Sequence, residues 1–446
     1  MRAVSRLTKA AAAVAATAAI SLLASACTGQ SNSSANDDAS KDVTITFWHG
    51  WSAPNELKAI NDNVARFEKA HPNIHVKVQG NITDDKINQA LRAGGDKAPD
   101  VVSSFTTDNV GQFCSSGAFA DLAPFLSRDK IDPATTFPKP MQQYTEFQGK
   151  RCALPLLGDA YGLYYNKKAF AAAGITAPPK TLSEFQKDAV KLTKSSGDSY
   201  SQLGYMPDFH GYESTPMHMA AQWGVKYFDA DGKSQVAKDP GFAAMFTWQQ
   251  QMVKALGGFG KLEKFRSTFG DEFGAKNPLQ TGQVAMGIDG EWRLGMAKDA
   301  GMNDLGVAPF PVPDDQAATY GKGYLSGTIV GIANTSTKKN AAWELVKFMA
   351  TDTDAVVSFA NAIHNVPSTM AALKSPKLDA DPGFRTFIDI AQNPDSTTTP
   401  ASINGGAYQL TLQDFGYAYE SGKAKDLQAG LRGVDSQVDK DIAQAK

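Results

Sequence analysis

The chain has 446 residues, 42% of them hydrophobic, with 44 basic against 46 acidic side chains. That length is ample for two domains. A near-neutral, slightly acidic balance without a basic block argues against a nucleic-acid partner.

Arg2, Arg6 and Lys9 give a positive start to the uncharged run Ala10–Ala24. The run is shorter than the roughly 20 residues a membrane span requires and reads as a secretory signal. It closes on LLASAC, which resembles a bacterial lipobox, with Ala24 where leucine is preferred. This predicts a signal peptide over 1–26 and a diacylglycerol on Cys27; an ordinary signal peptide with an incidental cysteine is the alternative. Residues 27–42, rich in Ser, Asn and Asp, have too little apolar surface to offset ordering entropy and read as a flexible tether. Removing 1–26 takes three basic residues away and makes the body more acidic. Cys114 and Cys152 then remain as a pair. Outside the cytoplasmic membrane they predict a disulfide, against the alternative of two buried thiols.

Val43, Ile45 and Phe47 alternate with Thr44, Thr46 and Trp48, the period of a strand. Leu57, Ile60, Val64 and Phe67 recur at helical spacing until His71-Pro72. Ile74, Val76 and Val78 alternate again. Ile87 and Leu91 suit a short helix ended by Gly94-Gly95, and APDVV opens a third strand at about Asp100. This β-α-β-α-β order implies an open sheet covered by helices. Ligands of such sheets sit off the carboxyl ends of the strands, which places the loops HGW and SFTTDN on the ligand edge. Leu154–Leu157 and Leu163–Tyr165 read as two strand pieces around Gly158-Asp159. Lys167–Ala173 reads as a helix, and a further helix follows APPKT with Thr181 or Ser183 as its cap. A helix-rich region runs to about Ala300. LGVAPFPVP and GKGYLSGTIVGIAN return to a β pattern. Lys339–Met349 is helical, and Leu427, Leu431, Val434, Val438 and Ile442 mark one face of a last amphipathic helix.

Taken in order, ITFWHGW, FEKAHPNIHVKV, APDVV, SSGAFADLAPF, ALPLLGDAYGLYYNKKAFAAAGI, PPKTLSEF, TGQVAMGIDGEW, GVAPFPVP and KNAAWELVKFM resemble the extracellular solute-binding proteins of family 1, whose best-known member is maltose-binding protein. The resemblance runs from about Val43 to the end. It implies a two-lobed, periplasmic-binding-protein-like fold, each lobe an α/β sheet. It also implies chain crossings near Gly158–Leu163, Tyr324–Gly327 and Ile363–Pro367, and a ligand in the cleft between lobes. The implied lobes are 43–158 with 327–363, and 159–326 with 364–446. The implied partners are a carbohydrate and the permease of an ABC importer, with the membrane reached only through the lipid, for a monomer that needs no cofactor.

A sugar offers an apolar C–H face to an aromatic ring and a rim of hydroxyls to carboxylates and amides. His49 and Trp51 occupy the first ligand-edge loop, with core packing as the alternative. The resemblance assigns ligand contacts to Phe105, Asp108 and Asn109; Asp108 could instead cap the next helix. It places an acid, Asp159, at the cleft floor beside Tyr161, and a stacking ring at Trp292, in a motif that includes Asp289. Tyr212, Glu213 and Trp223 are further candidates in a stretch that has drifted from the family pattern. Ser326 and Gly327 allow close approach of backbone to ligand, and Asn404 and Tyr408 sit in a glycine-rich turn able to close the cleft.

The chain lacks a G-x-S-x-G elbow, an H-E-x-x-H pair and a P-loop. His71 and His75 are four apart, but Pro72 breaks the helix that a metal pair would need, and no metal site is expected. The expected function is capture of a carbohydrate, most simply an oligosaccharide, at the outer face of the cytoplasmic membrane, and not catalysis. A polyol or glycerophosphodiester is the alternative ligand. A secreted glycoside-processing enzyme is the alternative class.

Overall fold

A computed structural model describes residues 38–95, 98–379 and 381–445. The signal peptide, Cys27 and tether residues 27–37 lie outside them. The end of the expected tether is docked: Asn73 Nδ2 donates to the carbonyls of Ala39 and Lys41.

The first five elements follow the expected order. Strand β1 (Val43–Trp48) buries Ile45 and Phe47 on one face. Helix α1 (Pro54–Ala70) starts on a proline, which is preorganised for the first turn, and Glu56 accepts from Ala53 N at 3.0 Å. It buries Ile60, Val64 and Phe67, each worth about 1.5–3 kcal/mol. β2 (Ile74–Gln79), α2 (Asp84–Ala93) and β3 (Val101–Ser104) follow. Helix α3 (Asn109–Ser115) comes next, and the Cys114–Cys152 disulfide, with Cα atoms 5.6 Å apart, ties its last turn to the chain entering the next strand.

That strand, β4, is one continuous element from Leu154 to Asn166, where two pieces were expected. Gly158-Asp159 interrupts the apolar pattern but not the ladder, because β4 changes partners there without changing direction. Further strands are β5 (Lys194–Ser196), β6 (Ser199–Tyr205), β7 (Val284–Gly290), β8 (Leu305–Ala308), β9 (Leu325–Ile332) and β10 (Val366–Pro367). They form one sheet in the order β2-β1-β3-β9-β4-β7-β6-β5, with β8 and β10 also on β4. Residues 154–160 of β4 pair antiparallel with β9, and residues 161–166 pair antiparallel with β7 and β8. The shared strand is therefore the shaft on which two half-sheets, and two lobes, are built.

Buried side chains gather into two cores. The first includes Ile45, Phe47, Val102, Ile329 and Trp343, and takes in Val366, Leu373 and Phe387 from the segment after residue 364. The second includes Leu163, Phe185, Tyr205, Phe246 and Met286, with Tyr408, Leu412, Leu431, Val434 and Val438 from the C-terminal helices. Of the two caps expected before the helix Leu182–Leu192, Thr181 serves, in a capping box with Glu184.

Glu420, the last residue of helix Ala407–Glu420, is buried and accepts from Phe209 N and Gln249 Nε2. Burial pushes its carboxyl up to about 8. Between the ordinary glutamate range and that value the native state holds a proton that the unfolded state has lost, so stability from this group falls as pH rises. Urea denaturation at pH 5 and pH 8 is expected to show a smaller loss across this window for Glu420→Gln than for the wild type. An equal loss would remove Glu420 from the pH response.

Candidate functional site

β1 and β3 belong to the first half-sheet and β6 and β7 to the second, with the β4 crossing between the two.

On the first lobe, His49 enters the core and not the cleft. It is fully buried between the rings of Phe47 and Trp51, at 5.5 and 5.6 Å, with neither ring nitrogen hydrogen-bonded. Burial lowers its pKa to about 4, so the ring is neutral at pH 7. Trp51 is only 4% exposed and packs edge-on against Phe105 and Phe359, at 5.1 and 5.3 Å. It backs Phe105, which is 48% exposed and offers the free ring. Asp108 stands at the N-cap position of α3 but makes no capping bond. Its Oδ1 instead accepts from Gln409 Nε2 at 2.6 Å, a contact from one lobe to the other. Asn109 donates to Asp84 Oδ2 at 3.2 Å.

At the crossing, Asp159 Oδ1 accepts from Asn365 Nδ2 at 2.8 Å. Burial raises its pKa against that donor. Tyr161 shares a hydrogen bond with Ser326 Oγ at 3.1 Å. Its ring meets Trp292 edge-on at 5.6 Å, His218 at 4.4 Å and Tyr324 at 5.3 Å. Gly327 is closely packed: a Cβ there would run into the Leu157 carbonyl and lie 2.7 Å from Tyr144 OH.

On the second lobe, Trp292 begins helix α4 (Trp292–Asp299), part-buried over Gly290, with its indole N–H unpartnered. Asp289 is turned inward, where Arg293 Nε donates to it at 2.6 Å. Tyr212 is 39% exposed and packs edge-on against exposed Phe273 at 4.9 Å. Glu213 is buried, 3.2 Å from His218 Nε2. Burial, together with the nearby Asp289 charge, drives the Glu213 pKa well up. Tyr212, Glu213, Glu272 and Asp289 line a cavity of about 340 Å³, at the small end of ligand pockets. Trp223 packs against Trp248 at 6.0 Å, among the second core. Asn404 accepts from Ser402 Oγ within its own turn at 2.7 Å. Tyr408 is buried, its hydroxyl donating to Pro400 O at 2.8 Å.

The fold thus brings Tyr161, Trp292 and Ser326 together at the β4 crossing beside Asp159, and sets Tyr212 and Glu213 on one cavity, while Asp108 reaches the second lobe through Gln409 and Phe105 stands exposed beside Trp51. It sends His49, Trp51, Trp223, Gly327 and Tyr408 into packing, and holds Asp289, on the wall of that cavity, against Arg293. Sequence reasoning missed Gln409, His218, Phe273, Tyr324, Glu291 and Asn365. Tyr324 and Glu291 fall inside GYLSG and IDGEW, stretches singled out for neighbouring residues. A second concavity, of about 750 Å³, lies between Gln142–Arg151, Val225–Gly232 and Thr397–Ile403, and the candidates Asn404 and Tyr408 border it through their bonds to Ser402 and Pro400. No group of His, Cys, Asp and Glu among the described residues is arranged to hold a metal ion, and no described helix is long and apolar enough to cross a membrane.

Known proteins of similar sequence and shape give this geometry a context. The maltotriose-binding protein of Pyrococcus abyssi is 22% identical over 78% of this chain and 72% of its own length. The diacetylchitobiose-binding protein DasA of Streptomyces coelicolor is 26% identical over 73% of this chain and 74% of its own. The structure of the sugar-binding protein MalE from Xanthomonas citri superposes with a TM-score of 0.75 over 90% of this chain and 98% of that one, at 22% identity. These relatives are described as binding proteins, and the structural match gives the two-lobed fold. Residues 51–356 match the family described as bacterial extracellular solute-binding protein, and the chain belongs to that family.

Proposed function

We propose that the protein is the extracellular receptor of an ABC importer and that it captures an oligosaccharide between its lobes without chemically changing it. The observation that carries this reading is the Tyr161–Trp292 ring pair standing beside Asp159, with Phe105 exposed on the facing lobe. Rings from both sides suit the two C–H faces of a pyranose, and carboxylates suit its hydroxyls. The ligands named for the relatives, maltotriose and diacetylchitobiose, are oligosaccharides, which supports the class and leaves the particular sugar open to assay. A phosphodiester fits less well, because Arg293, the cation bonded into this cluster, is already engaged by Asp289 and Glu272. On this reading Cys27 carries the lipid that holds the receptor at the outer face of the membrane, and the permease receives the sugar from it.

Calorimetry against a panel of di- and oligosaccharides tests the proposal. Saturable binding without products is the expected result; turnover of a labelled oligosaccharide would replace the receptor by a glycoside-processing enzyme. Trp292→Ala is expected to weaken the sugar found by more than ~1 kcal/mol, about fivefold or more. An unchanged dissociation constant in a folded variant would take this ring out of the site.

A further inference from the structure

Glu291 is fully buried, directly before Trp292, and among the described residues no Lys, Arg or His pairs with it. It stands at the N-cap position of α4 without capping it. Its carboxylate faces the crossings instead. Oε2 accepts from Ala160 N at 3.0 Å, on the β4 shaft at the point where its partners change. Oε1 accepts from Asn365 Nδ2 at 2.9 Å and from Val366 N at 3.4 Å, on the crossing that follows helix Thr353–Ile363. A side chain of the second lobe thus joins two of the three chain passages between lobes.

Asn365 links this joint to the cleft. Its amide nitrogen has two hydrogens; one goes to Glu291 and the other to Asp159. Asp159 is the carboxylate placed at the cleft floor, and Trp292, the next residue after Glu291, packs on Tyr161. A buried carboxylate is costly to strip of donors. Rotation of the second lobe about the crossings therefore has to break or re-form these bonds. The lobes also touch through Asp108 and Gln409, so the conformation held by Glu291 is one in which they meet.

We propose that Glu291 is a positioning residue, the pin that holds the second lobe against the crossings in the lobe-contact conformation, and that Asn365 transmits contact at Asp159 to that pin. The link to Asp159 rests on the cleft reading above; the pin itself does not depend on which ligand binds.

Small-angle scattering and hydrogen exchange on the intact ligand-free protein test both parts. Glu291→Gln replaces one of the two oxygens that accept these three bonds by an NH2 group, which cannot accept. It is expected to shift the scattering to a larger radius of gyration and to speed exchange in peptides spanning 158–162 and 363–368. Asn365→Ala, which leaves Glu291 its two backbone donors, is expected to shift both readouts in the same direction by less. Lowered melting with unchanged scattering and exchange would mean an ordinary packing role and overturn the pin. A shift with Glu291→Gln and none with Asn365→Ala would overturn the link to Asp159. If Glu291→Gln does not fold, Asn365→Ala alone decides, and unchanged scattering would overturn the proposal. Because no sugar is added, neither result depends on the sugar-binding measurements.

Discussion

Arg293→Met is expected to destabilise the protein by about 3–5 kcal/mol, the cost of leaving a buried charge without its partner. The guanidinium is fully buried. Nε donates to Asp289 Oδ2 at 2.6 Å, and the other nitrogens reach the Glu272 carbonyl at 3.0 Å and its carboxylate at 3.3 Å. Asp289 is as deeply buried, and burial already raises its pKa to about 6 in spite of Arg293. Without the cation, Asp289 must take up a proton or break its surroundings. The double change Asp289→Leu with Arg293→Met removes both charges and is expected to recover a large part of the loss. Urea denaturation of the two variants checks this, and a single-variant loss under ~1 kcal/mol would show that water reaches the pair. The effect should extend to the cleft, since Arg293 holds the loop bearing Phe273 against the strand end that presents Glu291 and Trp292.

Removing the disulfide, as Cys114→Ala with Cys152→Ala, is expected to cost about 2–4 kcal/mol. The bond closes a loop of 38 residues, and loss of that closure enlarges the unfolded ensemble more than it disturbs the native contacts. Both positions are buried among apolar neighbours, which favours alanine over serine as the replacement. The double variant should melt at lower urea with its secondary structure intact. Reduction of the wild type should produce the same midpoint as the double variant, and a midpoint unaffected by reductant would mean the bond contributes nothing to stability.

Much of the fold could be read from local periodicity, because β1, α1, β2, α2 and β3 each bury one face of a regular element. Parity within β1 also held information on His49. Ile45, Phe47 and His49 are two apart, so a strand that buries the first two directs the third to the same side. The loop position suggested a ligand contact; the alternation favours the core. β4 is harder to read because what changes at Gly158 is its neighbour, and a neighbour more than 100 residues away along the chain leaves no mark on local spacing. The same limit hid much of the site. Of the candidates, Phe105 follows β3 and Trp292 follows β7, positions that strand order makes legible, whereas Asp159 and Tyr161 lie within β4 itself. Gln409 and Asn365 are recognisable only by the carboxylates they reach, Asp108 and Asp159, at sequence separations of 301 and 206 residues.

The long reach of β9 has a further consequence. This strand lies between β3 and β4 and is hydrogen-bonded to both, yet it is made more than 150 residues after either. A nascent chain that has not reached Leu325 has every other principal strand of its first lobe and a gap in the middle. Loop closure over such a distance is slow and comes late. The amino-terminal lobe therefore cannot be finished during the early part of synthesis, and the second half-sheet, whose last strand ends at Ala308, has all its strands before the first does.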